Sequence, residues 1–158
     1  MIKNYVLRRA VEEDEALLFD WINDPAVRQW SFNKDTITLD EHKAWFNSKV
    51  NDGNVLIWIF EYKNAPAGMV RLEKEDDNVN LNYLIASNSR GKGLASNMLK
   101  MATVEVEGYW QNINIFAYTL SDNIASIKSL KRAGFSNHSA TNDKKCYIFN
   151  KKETNSKF

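Results

Sequence analysis

A strand-like run, Val79-Asn80-Leu81-Asn82-Tyr83-Leu84-Ile85, precedes the turn Arg90-Gly91-Lys92-Gly93-Leu94-Ala95, and a helix-like run then extends from Leu94 to Glu107. No other segment constrains the fold as tightly. The two glycines let the backbone approach a ligand without a Cβ in the way. The first N–H groups of the helix have no partner inside it and lie at the positive end of its dipole. Strand, glycine turn and helix N-terminus together form an anion cradle, of the kind that phosphate groups occupy.

The rest of the chain supplies a sheet and helices around that unit. Residues 5–10 read as a strand and residues 12–24 as a helix. The first turn of that helix is acidic, Leu17, Leu18, Trp21 and Ile22 share one face, and Pro25 ends it. Residues 26–37 read as a loop carrying Arg28, Trp30 and Phe32. Thr38-Leu39-Asp40-Glu41 has the form of a capping box and predicts a helix to about Val50. The continuous apolar run Val55 to Phe60 predicts a strand covered on both faces. Residues 68–74 and 79–85 predict a hairpin, residues 113–118 another strand, and residues 123–134 a helix. Phe135 and residues 145–150 complete the sheet with a strand or two.

This order predicts one α+β domain over residues 1–150, with a frayed polar tail at residues 151–158. Its mixed, mostly antiparallel twisted sheet has about six or seven strands flanked by about four helices. The crossover from residue 79 to residue 118 predicts a parallel strand pair.

Composition removes several function classes. With 21 basic and 20 acidic side chains the net charge is +1, which gives no electrostatic reason to bind nucleic acid or a membrane surface. One cysteine, Cys146, and two distant histidines, His42 and His138, do not form a metal site. A single cysteine also excludes an internal disulfide, and no signal-peptide apolar region follows Met1; a cytoplasmic location is expected.

Two blocks resemble the Gcn5-related N-acetyltransferase (GNAT) family. Arg90-x-x-Gly93-x-Ala95 is similar to the family's acetyl-CoA signature, [Gln/Arg]-x-x-Gly-x-[Gly/Ala]. Asn123, Ser126, Gly134 and Phe135 match its second block, Asn-x-x-[Ala/Ser]-x₇-Gly-Phe. The resemblance implies acetyl-CoA as cosubstrate and direct attack of an amine on the thioester. It implies that Arg90, Gly91, Lys92, Gly93, Leu94, Ala95 and Ser96 cradle the pyrophosphate. Pantetheine would lie in a gap between the strands of residues 83–86 and 113–118, along Leu84, Ile85 and Ala86, with Asn123 and Ser126 on the thiol side. The backbone N–H of Leu84 would hold the developing oxyanion.

Trp21-x-Asn23-Asp24-Pro25-x-Val27-Arg28-x-x-Ser31-Phe32 and Ile37-x₄-His42-x-x-Trp45-Phe46 are similar to the acetyltransferases that act on nucleotide-linked amino sugars in pseudaminic acid synthesis. That resemblance implies a monomer or homodimer whose acceptor meets Arg28, Trp30, His42, Trp45 and Tyr83. A protein N-terminus, an aminoglycoside or another small amine are alternative acceptors, and a CoA-binding module without turnover is a third reading. Two family positions differ. Asn80 stands where many relatives place a glutamate base, and Leu130 where many place a tyrosine acid. Leucine has no proton to donate. Tyr83 and Ser129, with Tyr118, are the substitute acids, and Glu73 or His42, through water, the substitute bases.

Overall fold

The computed structural model describes residues 4–150. Seven strands form one sheet in the order β1-β2-β3-β4-β5-β7-β6. They are β1 (Tyr5–Arg9), β2 (Val55–Tyr62), β3 (Ala65–Glu75), β4 (Asn78–Ile85), β5 (Asn114–Leu120), β6 (Ser136–Ala140) and β7 (Lys144–Asn150). The helices are α1 (Glu15–Ile22), α2 (Pro25–Gln29), α3 (Leu39–Lys49), α4 (Leu94–Glu105) and α5 (Ile124–Arg132). Every neighbouring strand pair is antiparallel except β4 with β5. The tail at residues 151–158 lies outside the described residues.

The apolar run in β2 explains how both faces of the sheet are covered. Leu56, Trp58 and Phe60 join a core with Leu94, Met98 and Leu99 of α4 and with Ile127 and Leu130 of α5. The alternate residues Val55, Ile57 and Ile59 join a second core with Leu18 of α1 and Phe46 of α3. Period-two alternation sends successive side chains to opposite faces, so an unbroken apolar strand serves two cores at once.

Two elements differ from expectation. A fifth helix, α2, stands where the pattern predicts a loop. Pro25 does not end α1 and lead into that loop; it opens α2, because proline is favoured at the first position of a helix. Asp24 accepts from the Ala26 N–H at 3.0 Å and caps that start. The strand β6 is exposed at every position and carries no apolar face that a pattern could register.

The parallel pair β4–β5 opens the site. Its register runs from Asn78 opposite Asn114 to Leu81 opposite Ala117 and then stops. Beyond that point β4 continues to Ile85 and β5 to Leu120 without pairing to each other. The splay leaves strand edges that need hydrogen-bond partners.

Candidate active site

A cleft of about 700 Å³ fills the splay. Its walls come from the ends of β4 and β5, the start of α4, the first turns of α5, and the α1–α3 connection with α2. Of the residues that the sequence singles out, Arg28, Trp30, Tyr83, Leu84, Ile85, Arg90, Gly91, Gly93, Leu94, Ala95, Asn123, Ser126 and Ser129 line it. Ala86, Lys92, Ser96, Glu73, His42 and Trp45 are not among the lining residues.

At the donor end, Gly91 and Gly93 have φ of +78° and +71°. The space a Cβ would take at either position is open. Gly93 is the N-cap of α4, and no side chain caps that helix. By contrast, Asn123 accepts from the Ser126 N–H at 3.2 Å and closes the start of α5. The uncapped α4 amides, the open turn and the dipole are the features that a diphosphate requires. The residues present therefore fit acetyl-CoA.

The phase of β4 corrects the expected oxyanion donor. Along a regular strand, successive backbone groups point to opposite edges. The carbonyl of Asp77 faces β5, where it accepts from Asn114 N at 2.9 Å, and Ala86 N faces β3, where it donates to the Ala67 carbonyl at 2.8 Å. The β3–β4 register is continuous between these points. Odd-numbered residues therefore face the gap, and the Leu84 N–H is turned toward β3. The amides directed into the gap are those of Tyr83 and Ile85. The Ile85 carbonyl agrees with this phase, since it accepts from Arg90 Nε at 3.0 Å.

Tyr83 and Ser126 meet across the gap, with Oη and Oγ 2.6 Å apart. Burial pushes the Tyr83 phenol up, and its hydrogen bond with Ser126 only partly opposes the shift. The phenol therefore keeps its proton at neutral pH and remains a donor. Ser129 Oγ donates to the Ala125 carbonyl at 3.0 Å, so its own proton is committed within α5. Leu130 is buried in the core, and Asn80 is exposed.

Several residues expected to meet the acceptor make other contacts in the structure. Arg28 donates to the carbonyls of Ile22 (2.7 Å), Asn33 (2.9 Å) and Asp35 (3.1 Å) and to Ser31 Oγ (3.2 Å). Its fork braces the loop, leaving little of it for a diphosphate. Asn23 exchanges two 2.8 Å hydrogen bonds with the backbone of Ile37. Asp24 Oδ2 accepts from Arg90 Nη2 at 2.9 Å. Asn23, Asp24 and Arg28 thus form a clasp that fixes the loop between α1 and α3 and ties it to the turn before α4.

His42 is 0% exposed and stacks between Phe19 and Trp45, with ring centroids 5.5 and 5.8 Å away. Neither ring nitrogen has a hydrogen-bond partner. It is a packing residue, outside the cleft, and not a substrate donor. Burial lowers its pKa, with the nearby Glu15 charge opposing. Glu73 is also withdrawn from a base role: Lys49 Nζ lies 2.8 Å from Oε1 and Arg71 Nε 3.0 Å from Oε2. Burial favours its neutral form, but the two cations hold the carboxyl below its usual range.

Arg71 and Asn82 line the cleft, and the sequence pattern singles out neither. Trp45 enters indirectly, with its ring centroid 5.1 Å from the Arg71 guanidinium carbon. No sequence period distinguishes these two polar strand residues from solvated ones; the signal lies in their cross-strand pairing.

Residues 4–136 match the acetyltransferase (GNAT) domain family. The chain belongs to the GNAT acetyltransferases and is an acetyl-CoA-dependent N-acetyltransferase. No curated protein sequence matches it. Among solved structures, a spermidine N-acetyltransferase from Vibrio cholerae in complex with CoA and spermine is 16% identical, with a TM-score of 0.81 over 94% of this chain and 96% of that one. RimL, a ribosomal-protein alpha-N-acetyltransferase in complex with CoA, is 16% identical with a TM-score of 0.79, covering 96% of each chain. The aminoglycoside acetyltransferase AAC(6')-Ib with CoA is 18% identical with a TM-score of 0.74, over 96% of this chain and 98% of that one. At these identities the likeness is one of fold. Among the described residues, no helix is long and apolar enough to cross a membrane.

Proposed function

We propose that the chain acetylates the primary amine of a nucleotide-linked deoxy amino sugar, using acetyl-CoA. One observation carries the acceptor class: the residues lining the cleft include Arg28, Arg71 and Arg90 and not one aspartate or glutamate. A polycation such as a polyamine or an aminoglycoside would meet like charge there, and like charges in a cleft repel strongly. An acceptor that carries phosphate meets complementary charge. Trp30 and Phe32 line the cleft 39% and 49% exposed and offer apolar surface for a base or a sugar ring, with Lys144 Nζ over one face of Phe32 at 4.4 Å.

In the reaction, the neutral amine attacks the thioester carbonyl and a C–N bond forms as the C–S bond breaks. The gap-facing amides of Tyr83 and Ile85 stabilise the oxyanion. The Tyr83 hydroxyl, held by Ser126, donates toward the leaving sulfur. The proton lost by the nitrogen balances the one gained by the thiolate. With Asn80 in place of a carboxylate and Glu73 held by two cations, water accepts the amine proton. Positioning and the oxyanion contact supply most of the rate.

The test is thiol release from acetyl-CoA across a panel of UDP-linked 4-amino sugars, spermidine, an aminoglycoside and an N-terminal peptide. Turnover is expected with the nucleotide-linked amines. Activity confined to the polyamine, aminoglycoside or peptide arms would sink the sugar reading, and CoA binding without thiol release in any arm would point to a binding module.

A further inference from the structure

One arginine of the cleft differs from the other two in what its fork is doing. Arg28 spends its donors on loop carbonyls. Arg90 donates to Asp24 and to the Ile85 carbonyl. Arg71 touches one carboxylate only, Glu73, through Nε at 3.0 Å. That contact is an ion pair by distance, but the N–H is not aimed at the oxygen, and Nε is buried without a hydrogen bond. Nη1 and Nη2 make no hydrogen bond to any described residue.

The neighbouring charges leave an excess. Glu73 also accepts from Lys49 Nζ at 2.8 Å. One carboxylate therefore serves two cations, and the trio carries a net positive charge beside the cleft. The arginine is fixed as well as unsatisfied, because its guanidinium rests over the Trp45 ring at 5.1 Å. A half-buried, immobilised cation whose terminal donors face the cleft is completed by an oxyanion more effectively than by water.

The register sets what that oxyanion belongs to. Arg71 lies opposite Asn82 across β3–β4, and the next pair on the same face is Met69 opposite Leu84. Two residues along a strand span about 7 Å. Arg71 and Asn82 therefore stand one pair from the amides of Tyr83 and Ile85, on the face that carries α1 and α3. Tyr83, between Asn82 and Leu84, points to the opposite face, toward α5.

We infer that Arg71 and Asn82 form an acceptor subsite, in which the guanidinium grips an oxyanion of the substrate, phosphate or carboxylate, and the amide of Asn82 bonds an adjacent polar atom. The inference rests on the acetyl-acceptor reading and assigns that reading its recognition residue. Its consequence is selectivity: a polycationic amine is refused by Arg71, and an anionic one is held with its amine one strand pair from the oxyanion donors.

The experiment is calorimetric titration of UDP, and separately of malonate, into protein saturated with CoA, which keeps the probes off the cradle. Wild type, Arg71→Gln and Arg71→Lys are compared, with thermal midpoints recorded to establish folding. UDP is expected to bind wild type and to weaken about tenfold or more in Arg71→Gln, the size of one lost charge-assisted bond. Arg71→Lys, which keeps the charge without the fork, should fall between, and it remains informative if Arg71→Gln does not fold. Malonate binding that depends on Arg71 while UDP does not bind would assign a carboxylate and remove the nucleotide. Equal affinity in Arg71→Gln, or no binding of either probe to wild type, overturns the subsite. Acetylation of UDP-linked amines with an unchanged KM in Arg71→Gln would overturn the subsite and leave the proposed function standing. UDP binding through Arg71 without acetylation of any such amine would do the reverse.

Discussion

Two helices begin on opposite faces of the sheet, and they begin differently. At the start of α3, Thr38 Oγ1 accepts from Glu41 N at 3.2 Å and Glu41 Oε1 accepts from Thr38 N at 3.1 Å. Asp40 and Glu41 place negative charge in its first turn. The start of α4 has no side-chain cap, no acidic residue in its first turn, and a left-handed glycine as N-cap. Capping contributes about 1 kcal/mol to a helix. The chain applies that stabilisation where the helix is a wall and omits it at the helix end that lines the cleft. An uncapped helix end beside a cleft is thus a sign of use, provided that the turn before it leaves room.

The sharpest way to break the comparison is to close the α4 end. Gly93→Val puts a β-branched residue at a φ of +71°. The strain is about 1–3 kcal/mol, and the side chain takes space the ligand needs. We expect kcat/KM for acetyl-CoA to fall roughly 100-fold, with most of the loss in KM. A fall of the same size in Thr38→Ala would show that the two helix ends do not differ in kind. The donor side has a second, smaller lever. Tyr83→Phe removes one hydroxyl from the pair with Ser126. The loss of one hydrogen bond of about 1 kcal/mol predicts a kcat about fivefold lower with KM unchanged. Complete loss would mean that the phenol is an obligatory acid and that water cannot replace it.

The difference between the two helix ends also explains which features are legible in the amino-acid sequence. Capping box, glycine turn and strand–helix alternation are local patterns, and they suffice to predict α3, α4 and the parallel pair. The short α2 escapes because Pro25 can end one helix or begin another, and only the Asp24 cap decides. Which amides of β4 enter the gap depends on strand phase; a shift of one residue exchanges Leu84 for Tyr83 and Ile85. Arg71 and Asn82 are 11 positions apart and gain meaning only through the β3–β4 register. Arg28 is the right residue type for phosphate but is enclosed by the carbonyls of its own loop. The glycine turn is built from consecutive residues, and the Arg71–Asn82 pair from residues that the sheet brings together. A sequence pattern registers the first kind of arrangement and not the second.

Thr38→Ala sharpens the comparison from the closed side. It opens the α3 end without touching the cleft. The expected cost is about 1 kcal/mol of unfolding free energy, read from a denaturant midpoint at unchanged slope. KM for acetyl-CoA and for the acceptor should not move. A changed acceptor KM would show that α3 transmits to the acceptor loop and is more than a wall.

The smallest effect concerns what fills the space behind that closed end. His42 donates its backbone N–H to the Thr38 carbonyl at 3.0 Å, and its ring is fully buried with two unpartnered nitrogens. Its folded pKa is lowered, chiefly by burial, while Glu15 acts in the opposite direction. The unfolded chain therefore takes up a proton more readily than the folded one once the pH drops below the ordinary histidine value of about 6.5. Stability is fully present above that value and declines as the pH falls toward the lower folded pKa. His42→Leu keeps the packing volume and removes the proton site. At pH 7.5 the variant should match wild type within about 1 kcal/mol, because an unpaired polar group is exchanged for an apolar one. At pH 5.5 it should be the more stable of the two. Thermal midpoints at both values decide the matter: an identical acid decline in the two proteins would mean that His42 is not the titrating group, and a raised acceptor KM would return it to the cleft.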